Sequence, residues 1–73
     1  MNGANLLTLE VVAECFDVRV DWLALVCELR LVRAVHERGA WRVEVTELDR
    51  VARIVRLCVH QGVELEFVSV LID

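Results

Sequence analysis

The sequence predicts a single, mainly α-helical domain with one small β-hairpin. Three observations carry this expectation. Apolar residues recur at i, i+3, i+4 and i+7 in several stretches, the spacing of helices with one buried face. The stretch from Arg33 to Val45 instead alternates apolar and polar residues about a polar centre. Finally, 73 residues leave room for one modest core and no second domain, so residues 1–73 read as one unit.

The first helix is expected over about residues 9–16. Thr8 is placed to cap it, and Glu10 puts a negative charge in its first turn, where the helix dipole favours one. Leu9, Val12, Ala13 and Phe16 form its apolar face, while Glu10, Glu14 and Asp17 point away. A short turn at Asp17 and Val18 leads to a second helix over about residues 20–29. At 100° per residue, Leu23, Val26 and Cys27 cluster toward the first helix. Asp21, Ala24, Leu25 and Glu28 fall on the opposite side, with Trp22 on the flank.

A hairpin comes next, over about residues 33–45, with its turn near Glu37, Arg38 and Gly39. Trp41, Val43 and Val45 alternate with Arg42 and Glu44, the period of a half-buried strand. The third helix is expected over about residues 47–61. Thr46 and Asp49 have the spacing of a capping box. Leu48, Val51, Ala52, Val55, Cys58 and Val59 form one apolar stripe, with Arg50, Arg53, Arg56 and His60 outward and Asp49 able to pair with Arg53. Gly62 suits the residue just past the helix end. The closing segment alternates at Val63, Leu65 and Phe67 but has helical spacing at Leu65, Val68, Ser69 and Ile72. A short helix over about residues 65–72 is preferred, because a lone strand would lack a mate.

The chain is 58% hydrophobic, yet no uninterrupted apolar run approaches the length of a membrane span of about 18 residues. The surplus points to apolar surface that meets a partner, a second copy of the chain included. No secretory pattern opens the sequence, so a cytoplasmic protein is expected. All basic residues are arginines, and the net charge is −4. Between Thr8 and Leu29 stand five acids (Glu10, Glu14, Asp17, Asp21 and Glu28) and one base, Arg19; the other residues balance. The whole net charge therefore belongs to the first two helices, which bears on partners rather than fold.

Cys15, Cys27 and Cys58 are an odd number without the close pairs of a zinc site. Cys58 and His60, two apart on a helix, fall on different faces. The three read as buried, inert thiols. No nucleophile–base–orienter set and no phosphate-cradling glycine loop is visible, so neither an enzyme nor a cofactor is expected.

Two short helices about a tight turn, a β wing and a longer helix have the order of a winged helix-turn-helix. The sequence resembles the MerR-like group in particular. Thr8-Leu9 and Val18-Arg19-Val20 stand where that group has its Thr-led first helix and the turn into its recognition helix. Gly39-Ala40-Trp41-Arg42 resembles the end of its wing, one residue longer. Thr46 to Arg50 and Gln61 to Glu66 resemble the starts of its third and fourth helices. The DNA-binding members carry arginines on the second helix, where this chain has Asp21 and Ala24. A DNA reader draws most of its affinity from cations at phosphates, and Asp21 and Glu28 would oppose it.

The branch sharing this departure is the chaperone-modulator (CbpM) group, and the chain is most similar to the small DnaK–DnaJ assembly factors of the DafA type. A further C-terminal helix of the CbpM members has no counterpart before Asp73. The resemblance implies binding to the basic surface of a J-domain in a DnaJ-type co-chaperone, with DnaK as a further candidate partner. The expected site centres on Asp21, Leu25 and Glu28, with Ala24 allowing close approach and Trp22 as marginal anchor or core cover. Glu10, Glu14 and Asp17 form an acidic rim, or simply a solvated face. The rival expectation is a small DNA-binding regulator of MerR or HspR type, supported by Arg33, Arg38 and Arg42 on the wing.

Overall fold

Thr8 ends a strand and begins a helix. In the computed structural model, which describes residues 5–72, strand β1 (Leu6–Thr8) runs directly into helix α1 (Leu9–Phe16). The Val11 amide donates to Thr8 Oγ1 at 3.3 Å, so Thr8 caps α1. Residues 1–4 and 73 of the expected domain lie outside the described residues.

α1 stops at Asp17, whose φ of 56° is left-handed. Aspartate is among the few side chains that adopt this conformation readily. The Val18 amide then reaches back to Ala13 O at 3.0 Å. Helix α2 (Val20–Glu28) ends the same way: Arg30 has φ 58°, and Leu31 N–H donates to Val26 O at 3.2 Å. Both ends adopt the left-handed closure that glycine usually provides, without a glycine.

The hairpin joins β2 (Ala34–Glu37) to β3 (Ala40–Glu44) through Arg38 and Gly39. Both turn residues have positive φ, 53° and 77°, as a two-residue loop matched to strand twist requires. The sheet has a third member that the sequence pattern does not reveal. β1 pairs antiparallel with β3, Leu7 opposite Val43, giving the order β1-β3-β2. The molecule is thus mainly helical with a small three-stranded antiparallel sheet.

The third helical region departs from one straight helix over 47–61. A 3-10 turn (Val45–Glu47) leads into α3 (Leu48–Val55), which continues as a π turn (Arg56–His60). Thr46 makes no capping hydrogen bond. Instead, the Glu47 carboxylate accepts the Arg33 amide at 2.9 Å, tying this segment to the start of the hairpin. Val51, Ile54 and Val55 are buried, whereas Val59 is 57% exposed and leaves the expected stripe. In the π turn, Gln61 N–H donates to Arg56 O at 3.1 Å, one residue wider than an α-helical bond, which turns the late residues of this region about the helix axis. Among the described residues no Asp49–Arg53 ion pair forms.

Gly62, with φ 72°, closes this region, and a 3-10 turn (Leu65–Phe67) passes into α4 (Val68–Ile72). The core gathers Leu9, Val12, Ala13, Leu23, Val26, Val43, Ile54 and Val68 from α1, α2, β3, α3 and α4. No charged or polar side chain is buried among the described residues. No helix is long and apolar enough to cross a membrane.

Candidate functional site

The outer side of α2 is set by its period. Leu23, Val26 and Cys27 are consumed by the core, which leaves Asp21, Leu25 and Glu28, spaced i, i+4 and i+7, in one exposed line. Leu25 is 43% exposed between two acids. Leu29 is also exposed, one turn on from Leu25, while Val20 is exposed at the helix start on the other side of the two acids. Ala24 is only half-exposed, so its methyl contributes to core packing as well as to this side. Trp22 is half-buried against the core and keeps one edge outward.

Asp21 is not a free acid. Arg19 Nε donates to its Oδ1 at 3.0 Å, and Arg19 Nη2 to its Oδ2 at 2.9 Å. Arg19 immediately precedes α2 in extended conformation, which lets its guanidinium lie alongside the first turn. The Trp22 amide also donates to Asp21 Oδ1 at 2.9 Å. The hydrogen bonds from Arg19 pull the Asp21 pKa below its usual value and, reciprocally, raise that of Arg19. The two side chains are 83% and 68% exposed, so solvent and salt screen the pair and it adds little to stability.

The acidic character of this region therefore lies in Glu10, Glu14, Asp17 and Glu28. All four are exposed, and none forms an ion pair among the described residues. Val11, 46% exposed, sits among the α1 acids, so the outer side of α1 is acidic and apolar like that of α2.

No family model, no curated protein and no solved structure matches this chain.

Two clefts flank α2. One, of about 420 Å3, is lined by Asp17, Val18, Arg19, Trp22 and Val59, bringing the α1–α2 turn against the π turn. The other, of about 600 Å3, lies past the opposite end of α2 and includes Cys27, Arg30, Arg33, Trp41, Glu44 and Arg50. Arg50 departs from the outward face expected for it with Arg53 and Arg56. It is half-buried, and its Nε donates to Leu31 O, so it braces α3 against the loop after α2. Arg53 and Arg56 remain exposed.

The three thiols are not all buried, although the sequence suggests that they would be. Cys27 is buried, and desolvation, then the neighbouring Glu28 charge, pushes its pKa up to about 11. Burial raises the half-buried Cys58 as well. Cys15, however, is exposed on α1. At 100° per residue it falls between the exposed Val11 and the buried Val12, at the flank of the core face. Among the described residues no three His, Cys, Asp or Glu side chains stand together as metal ligands. His36 lies against Trp41 across the hairpin, with ring centres 4.6 Å apart.

Proposed function

We propose that the chain is a MerR-like winged helix-turn-helix domain of the chaperone-modulator type. In this reading it docks on the basic J-domain surface of a DnaJ-type co-chaperone and regulates or scaffolds the DnaK complex of that co-chaperone. It is a non-enzymatic role exercised in the cytoplasm. The observation that carries the reading is the outer side of α2. Leu25 and Leu29 are exposed one turn apart, beside a Glu28 that has no ion pair among the described residues, and the helix itself carries no cation before Arg30. Leu25 and its neighbours supply the apolar anchor, while Glu28, Glu10, Glu14 and Asp17 steer a cationic partner into place. Asp21 contributes through its pair with Arg19, which neutralises the cation nearest this side that would repel such a partner.

The test is a titration with a purified J-domain, repeated across salt. Saturable binding that weakens with salt supports the reading, and its absence at low salt removes it. Leu25→Arg should raise the off-rate, whereas removing Glu10 or Glu14 should chiefly flatten the salt dependence. A second reading, a small DNA-binding regulator of MerR or HspR type, draws on Arg33, Arg38 and Arg42, which are exposed on and beside the hairpin. A gel shift at low salt that disappears when these arginines are neutralised would favour it.

A further inference from the structure

The Asp17–Trp22–Val59 cleft has a construction that the docking line on α2 does not explain. Val59 reaches it only because the chain takes a π turn at Arg56–His60. An uninterrupted α-helix would set Val59 one turn above the buried Val55, on the same side. The opposite wall starts at Asp17, whose left-handed conformation ends α1, and is completed by Val18 and by Trp22 of α2. Two unusual backbone states thus face each other across an apolar gap, and π turns of this kind recur where proteins bind ligands.

The charges at the mouth specify what can enter. Arg19 lines the gap, but its charge is offset by the two hydrogen bonds to Asp21, so its aliphatic stem is its main contribution to the apolar wall. Asp17 carries an exposed carboxylate with no ion pair among the described residues, and Glu14 is one turn behind it on α1. A cation on the α1 side of the mouth is therefore attracted, whereas Arg56, exposed in the same π turn as Val59, opposes one on the other side. A second copy of the chain is a poor occupant. Its most exposed apolar side, Phe67, Val70 and Leu71 on the last helical segment, is flanked by Glu64 and Glu66.

We propose that this cleft is a socket for one large apolar side chain, such as leucine, methionine or phenylalanine, carried on a cationic helix of the partner protein. A lysine or arginine one turn from that side chain meets Asp17. At about 420 Å3 the cleft is within the range of pockets that hold discrete ligand groups, about 300–1,000 Å3. The socket deepens the docking reading above and rests on it for the identity of the partner.

The experiment uses the full chain carrying Trp41→Phe, which leaves Trp22 as the one indole. It is titrated with a purified J-domain, with a synthetic helical peptide bearing one leucine and a lysine one turn to either side, and with that peptide carrying alanine for leucine. Trp22 emission should shift to the blue saturably with the J-domain and the leucine peptide, and not with the alanine peptide. Val59→Asn should weaken the leucine peptide about tenfold at every salt concentration. Asp17→Asn tolerates the left-handed backbone, and its loss of binding should fade as salt rises above about 0.5 M. Equal binding of the two peptides, indifference to Val59→Asn, or a blue shift driven by chain concentration alone would overturn the socket. If Leu25→Arg weakens the J-domain and Val59→Asn does not, the socket falls and the α2 reading stands. If the leucine peptide binds through Val59 and the J-domain does not bind, the socket stands and the J-domain assignment falls.

Discussion

Arg19 and Asp21 face each other over two parallel N–H···O contacts of 3.0 and 2.9 Å, at the point where the chain enters α2. The geometry is the fork-to-carboxylate form that orients both groups. It also makes Arg19 the residue whose removal best separates the two functional readings. Arg19→Gln frees the Asp21 carboxylate and adds one unpaired negative charge. Affinity for a J-domain at low salt should rise about two- to fivefold, with a steeper salt dependence. Any DNA binding should weaken instead. Parallel titrations of the two ligands check both directions.

Arg38 occupies a left-handed turn position, φ 53°, immediately before Gly39. Asparagine adopts that conformation with less strain and is preferred before glycine in such hairpins. Arg38→Asn should raise unfolding stability by about 0.5–1 kcal/mol. An upward shift of the urea midpoint without a change in slope is the expected measurement.

Val68 is the fully buried residue of α4, and Leu65 and Ile72 pack beside it against the core. Val68→Ala removes two methyl groups there and should lower stability by about 2 kcal/mol. Amide exchange should show α4 and the π turn opening more readily than α1. Uniform acceleration throughout would mean that α4 is an integral part of one cooperative unit.

Cys27 couples stability to alkaline pH. Its folded pKa is raised from 9.0 to about 11, so the folded state holds the thiol proton more tightly than the unfolded state does. The unfolding free energy should be unaffected by this group below about pH 9. It should fall by about 2–3 kcal/mol as pH rises through 11. Cys27→Ala should flatten that alkaline slope. In parallel, a thiol reagent at pH 8 should label the exposed Cys15 quickly and reach Cys27 only on unfolding.

Periodicity alone is enough to locate α1, α2 and the hairpin, because each is a local pattern set by one partition between core and water. Leu9, Val12 and Ala13 face in as their spacing requires, and so do Leu23, Val26 and Cys27. The features that periodicity misses depend on other parts of the chain or on a change of period. β1 has three residues, too few to show alternation, and exists through its pairing with β3. Val59 looks internal only while 3.6 residues per turn is assumed to persist through the π turn. Cys15 looks internal only when residue type is weighed above helical angle. At the candidate site, Asp21, Leu25 and Glu28 lie in the line that their spacing demands. The Arg19 pair escapes a helical rule because Arg19 stands outside the helix, where an i, i+2 separation does not forbid contact.

Thr8 links two surfaces that look separate in the sequence. Its backbone stands opposite Arg42 in the sheet, while its hydroxyl accepts the Val11 amide at the head of α1. Parting β1 from the hairpin therefore disturbs the residue that caps α1. Unzipping of this sheet edge and fraying at the head of α1 should thus occur together.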